Sequence, residues 1–223
     1  MSWTPAEAPW GNVRSVDEDK VRRLAEELES LRAEHGALSR EWIEGQERLL
    51  GAVNDRAEAH GEMFVRPVKL KHRFSPNDPA ILLVDRPGVS LYLEPWIDDP
   101  GQGPIRFTFD SCDAATFSPP NDENLRLSPL DALGFGWWPC ITVGNSPWVR
   151  LFPWHAVDHY VFLLKDHCFH ALAKGFVESR VDKADFATVQ NALADVPWQL
   201  LGGKQPPTRS FGSRRVGGGA SIG

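Results

Sequence analysis

An α+β architecture follows from this sequence: a long, coiled-coil-like N-terminal helix, then a mostly antiparallel β-rich domain (a sandwich or rolled sheet) with one C-terminal helix. Three observations predict it. Apolar residues recur at alternating three- and four-residue steps from Val21 to Ala52. After Gly61 the apolar period drops to two. Clusters of Pro, Gly, Asn and Asp then cut the chain into short pieces. The first period lines one face of a helix and the second one face of a strand. Four segments result: an N-terminal extension over 1–14, the heptad-patterned helix over 15–61, a β-rich globular domain over 62–200, and a Gly-rich tail over 201–223.

Ser15-Val16-Asp17-Glu18 has the spacing of a capping box, in which Ser and Glu each bond the other's backbone amide. The acids Asp17, Glu18 and Asp19 suit the positive end of a helix dipole. The apolar seam runs through Val21, Leu24, Leu28, Leu31, His35, Leu38, Trp42, Gly45, Leu49 and Ala52, with Gly61 as a C-cap. His35, Gly36 and Gly45 weaken it, each Gly costing about 1 kcal/mol relative to Ala. A helical hairpin turning at His35-Gly36, with Ser39 capping a second helix, is the alternative. The unbroken heptad register across Gly36 favours one helix. Leu24, Leu28, Leu31, Leu38, Trp42 and Leu49 then form a stripe for self-association or for another protein; the competing reading packs it on the β domain.

Val68, Leu70, His72 and Phe74 alternate with Lys69, Lys71 and Arg73 as a half-buried strand requires. Val89, Leu91 and Leu93 repeat the pattern, as do Ile105, Phe107 and Phe109. Shorter strands are expected at 81–84, 141–143 and 149–152. Tyr160 to Leu164 and Cys168 to Ala173 flank Lys165-Asp166 as a hairpin apolar on both faces, which belongs in the middle of a domain. Lys183 to Ala194 reads as the last helix, capped by Asp182.

The chain has 223 residues, 42% of them hydrophobic and 24% charged, with a net charge of −6. That balance disfavours a nucleic-acid binder or an anionic-membrane binder, which present basic surfaces. No apolar run approaches a membrane span, and the start lacks the pattern of a signal peptide. Three cysteines without a Cys-x-x-Cys pair fit a reducing cytoplasm better than a disulfide framework. The tail carries Lys204, Arg209, Arg214 and Arg215 without an acid, and reads as flexible and mildly basic.

Chemistry-bearing residues gather in two places. His155, His159, His167 and His170, beside Asp158, Asp166 and Cys168, are the densest set of metal-ligand types. Ala156 follows His155, so the His-Glu-x-x-His pattern fails. On a strand over 167–173, Cys168 and His170 share a face and His167 takes the other, while His159 lies across from Leu172. The four imidazoles therefore do not converge. The second place is Asp110 to Glu123, where Asp110, Asp113, Asp122 and Glu123 offer paired carboxylates but also read as an ordinary turn. Cys112 has no partner base that the sequence places near it. Ser146 in Gly144-Asn145-Ser146-Pro147 lacks the second Gly of a nucleophile elbow. Trp137, Trp138, Trp148 and Trp154 offer either a ligand or peptide groove or an aromatic core. No cofactor is implied.

The stretch Phe117-Ser-Pro-Pro-Asn121-Asp122-Glu123-Asn-Leu125-Arg-Leu-Ser128-Pro129-Leu130, followed by Asn145-Ser146-Pro-Trp148, resembles a set of uncharacterised bacterial proteins. Their pattern is Pro-Asn-Asp-Glu-x-Leu-x-x-His-Pro-Leu and then Asn-Ser-x-Trp. The stretch His159-Tyr-Val-Phe162-Leu-Leu-Lys165-Asp166-His167-Cys168-Phe169-His170 resembles their closing hairpin. This chain departs where polar chemistry would sit: Ser128 stands for a His, Lys165 for a His and His170 for a Glu. The resemblance implies a shared β fold and no activity. The expectation is a cytoplasmic, oligomeric or partner-bound interaction protein of a bacterial multi-protein system, possible roles including defence or immunity. The alternative is a small enzyme or ligand-binding protein using Asp110–Glu123 or His155–His170.

Overall fold

The seam of the N-terminal segment is folded back on itself. The computed structural model describes residues 13–78, 80–85, 88–96, 103–118 and 122–194, with side chains for all but 13–17, 85, 122, 123, 127, 190 and 192–194. The rest of the 1–14 extension, the 201–223 tail and Asn121 lie outside it. In place of one rod, α1 (Val13–His35) and α2 (Arg40–Ala59) form a hairpin. Gly36 takes the left-handed conformation at φ 83° and its N–H returns to the Arg32 carbonyl at 3.0 Å, which ends α1. Ser39 caps α2 by accepting the Trp42 N–H at 3.1 Å. Leu38 between them sits at φ 74° and is 77% exposed. The heptad register is outweighed by these two local stop and start signals. α1 also begins at Val13, so Ser15 lies inside its first turn and not at its cap.

Gly45, a defect in a heptad seam, is the closest approach of the two helices. A Cβ there would meet Leu31 Cδ1 at 2.9 Å and Leu28 Cδ1 at 3.2 Å. Arg48 bonds Glu27 across the same interface at 2.5 Å. Leu28 is buried, and Leu24, Leu31, Trp42 and Leu49 are half-buried, so much of the stripe is used within the chain. α2 then docks through Asn54, which is buried. Its amide donates to the Leu50 and Leu133 carbonyls at 2.8 Å each, and its oxygen accepts the Val65 N–H at 2.6 Å. Among the described residues no helix is long and apolar enough to cross a membrane.

The β portion is two antiparallel sheets. The larger orders as β1-β6-β7-β8-β5, from β1 (Phe64–Pro67), β5 (Ala114–Ser118), β6 (Cys140–Gly144), β7 (Asp158–Leu163) and β8 (Cys168–Ala173). The smaller orders as β2-β3-β4-β9, from β2 (Ile81–Asp85), β3 (Gly88–Leu93), β4 (Ile105–Asp110) and β9 (Gly175–Arg180). Leu91, Leu93, Ile105, Phe107 and Phe109 of the smaller sheet share one core with Cys140, Phe162, Phe169, Ala171 and Ala173 of the larger. The Phe107 and Phe162 rings meet edge to face at 4.9 Å. The outer face of the larger sheet has its own core: Val65, Ile141, Val143, Val161 and Cys168 under Leu130 and Phe135. Both faces of β7 and β8 are thus covered, as their two-sided apolar sequence demands.

Two connections, β4 to β5 and β8 to β9, cross between the sheets at one corner. There Lys174 N–H bonds the Asp110 carbonyl at 3.0 Å and Asp113 N–H bonds the Leu172 carbonyl at 2.8 Å. The strand expected over 68–74 is absent. Val68 and Leu70 do pack on the core and Phe74 is buried, so the alternation is real. The backbone, however, bonds piecemeal: Lys71 and His72 N–H groups donate to the Glu178 carboxylate, and Ser75 N–H to the Glu94 carbonyl. Residues 149–151 form a 3-10 turn where a strand was expected. Residues up to Asp182 make one unit; α3 (Lys183–Ala194) opens a second.

Candidate functional site

The alternation of β7 and β8 sends Tyr160, Phe162, Phe169 and Ala171 into the inner core, and His159, Val161, Cys168 and His170 to the outer face. His159 pairs in register with Leu172 and Val161 with His170, so the two histidines are diagonal neighbours. Long flat side chains span that diagonal: His159 Nε2 lies 3.0 Å from His170 Nδ1. Ser146, in the loop after β6, places its Oγ 2.8 Å from His159 Nδ1. The same Oγ accepts the Trp148 backbone N–H at 3.2 Å, which closes the loop into a tight turn. Asn145 begins that turn at φ 53° and its amide donates to the Glu62 carbonyl at 2.9 Å. Trp148 sets its ring edge-on to His159 at 5.2 Å and to His170 at 6.3 Å.

These groups floor a cleft of about 640 Å³ walled by Met63, Pro129, Leu130, Val143, Pro147 and Trp148, with Asn124 and Ser128 at its polar side. Among the described residues its lining holds no charged side chain. Burial, and then the neighbouring His170, lower His159 to about 3. Burial alone lowers His170 to about 4. Both rings are therefore neutral near pH 7. One atom at the end of this series is unsatisfied: His170 Nε2 is shielded from water and has no hydrogen-bond partner.

The remaining predicted site residues go elsewhere. His155 Nδ1 pairs with the Asp113 carboxylate at 2.6 Å, and His167 packs edge-on against Phe117 at 4.6 Å. The four histidines thus divide three ways, and no group of three or more His, Cys, Asp or Glu among the described residues is placed to hold a metal ion. The Asp110–Glu123 carboxylates do not gather into one site among the described side chains. Asp110 accepts from Ser111 at 3.1 Å at the sheet-crossing corner, and Asp113 faces His155. The Asp122 and Glu123 side chains lie outside the described residues. Burial raises the Cys112 thiol, raises Cys140 well above its usual value and pushes Cys168 up to about 12, so none is an activated nucleophile.

The tryptophans do not form one groove. Trp137 and Trp138 line a separate cleft of about 450 Å³ with Trp96 and Leu163, Trp148 belongs to the histidine cleft, and Trp154 is 69% exposed. Trp137 also meets Trp42 of α2 at 5.8 Å. The Ser146–His159–His170 arrangement went unread in the sequence. The signal for it was present in the shared face of Cys168 and His170 and the pairing of His159 with Leu172. No family model matches the chain, and no curated protein or solved structure matches it either.

Proposed function

We propose that this is a non-catalytic binding protein that takes a small ligand into the cleft over Ser146, His159 and His170. The observation that carries the reading is His170, which lines a mostly apolar cleft and whose Nε2 is unpartnered and shielded from water behind that lining. A buried polar atom left unpaired costs about 1–3 kcal/mol, and an apolar cleft with a few converging polar groups is the usual form of a ligand site. A bound ligand that bonds this atom recovers that cost.

Catalysis by the same groups is the weaker reading. Ser146 is 2% exposed, and its partner His159, lowered to about 3, is too weak a base to activate a hydroxyl near pH 7. Assembly through the Leu24–Leu49 stripe is also weaker, since Leu28 is buried and Leu24, Leu31, Trp42 and Leu49 are already half-buried within the chain. Ligand-observed NMR with a general fragment set tests the proposal. Hits on the full chain should disappear with Trp148→Ala and weaken with His170→Leu; hits indifferent to both substitutions would remove the cleft as the site. Hydrolysis of p-nitrophenyl acetate should be the same in Ser146→Ala, and a clear loss would restore the catalytic reading.

A further inference from the structure

The hydrogen-bond series has a direction, and the direction selects the ligand. Ser146 Oγ has one proton to give and already accepts the Trp148 N–H. If His159 Nδ1 donated to this oxygen, the buried hydroxyl proton would be left without a partner among the contacts Oγ makes. The arrangement that satisfies Ser146 has its hydroxyl donating to His159 Nδ1. A neutral His159 then carries its proton on Nε2 and donates to His170 Nδ1. A neutral His170 in turn carries its proton on Nε2. Each tautomer is fixed by the bond its other nitrogen makes, and the series begins at a backbone amide that cannot reverse.

We infer that the cleft selects a neutral, flat, largely apolar molecule with one carbonyl oxygen, which accepts the proton presented by His170 Nε2; this rests on the cleft being a ligand site. The donor end excludes ligands that offer only N–H groups there. The lack of a cation among the described lining residues disfavours a carboxylate or phosphate, whose charge would be buried unpaired. Trp148, Pro129 and Pro147 give flat apolar walls to a ring. Met63 in the same lining is unbranched and changes rotamer at little cost, so the wall can yield to an inserted oxygen. A cyclic amide or an aromatic lactone has this chemistry.

The test uses the full chain with 15N-labelled histidine and three probes: coumarin, naphthalene and 2-naphthoate. Long-range 1H–15N correlation near neutral pH reads the tautomers directly. His170 is expected to be protonated at Nε2, with coumarin shifting that nitrogen. Coumarin should bind about tenfold more tightly than naphthalene, the worth of one hydrogen bond, and should fall to the naphthalene level in His170→Leu. Protonation of His170 at Nδ1 overturns this inference and leaves the cleft reading standing. So does naphthalene binding as tightly as coumarin, or 2-naphthoate binding more tightly than either. If none of the three probes shows binding that depends on Trp148, the cleft reading falls and this inference with it.

Discussion

Phe169 and His170 are neighbours in β8, are both flat rings, and do opposite things because they face opposite ways. Phe169 is fully buried between the sheets, with Phe109 at 5.5 Å, Phe117 at 5.4 Å and Phe162 at 6.0 Å. Every partner there is apolar, and the gain is area removed from water plus ring geometry. His170 faces the outer side, where a 2.8 Å contact and a 3.0 Å contact link it through His159 to Ser146. The inner face is satisfied by packing alone. The outer face is less fully covered on β7 and β8, where Leu163 and His170 are half-buried, and it keeps a polar series whose last atom has no partner. One hairpin therefore carries the fold on one side and the candidate chemistry on the other.

The largest test of that contrast is Phe169→Ala, which should cost about 3–5 kcal/mol in denaturant unfolding, as other large-to-small core changes do. A loss under about 1 kcal/mol would mean that the inner face is not the main source of stability. Acid comes next. His159 and His170 bind protons in the unfolded chain below about 6.5 but in the folded protein only near 3 and 4. Their neutral state thus supports the fold fully above pH 6.5, and that support drains away as the pH falls toward 4. A slope of about 1–3 kcal/mol per pH unit is expected from the two groups, and His170→Leu should make it clearly shallower. An unchanged slope in that variant would place the acid sensitivity outside the pair. The smallest effect is His170→Leu at neutral pH. It removes one unpartnered N–H and strands another on His159, so stability should shift by under about 1 kcal/mol while carbonyl ligands bind about tenfold more weakly.

The α+β class was legible because periodicity reports which face of an element is buried. β4 shows this plainly: Ile105, Phe107 and Phe109 are buried and Arg106 is exposed, as the alternation in the sequence requires. Alternation says nothing about where the backbone finds its hydrogen bonds. Residues 68–74 alternate, yet their amides go to scattered partners, Val68 to the Cys140 carbonyl and Lys71 and His72 to the Glu178 carboxylate, and build no continuous ladder. β5 and β9 were missed for the converse reason. Ala114-Ala115-Thr116 offers too little apolar contrast, and Glu178 and Arg180 break the apolar run of β9. In the helical region the stop at Gly36 and the cap at Ser39 are visible in the sequence, and they outweigh a heptad register that runs across them. Ser146 and His159 each stand out singly in the sequence. Their meeting depends on a loop turn and on a diagonal across two strands, which residue spacing cannot report.

The close approach at Gly45 has a kinetic consequence. Among the described residues of α1 only Leu28 is buried, whereas α2 buries Leu50, Ala52, Asn54 and Ala57. α1 thus holds to the molecule mainly through its contact with α2, and can peel away while the sheets stay intact. Elements with few buried contacts open at free energies below that of global unfolding. The amides of α1 should exchange with solvent ahead of those of α2, so the hairpin comes apart in two stages, with the outer helix leaving first.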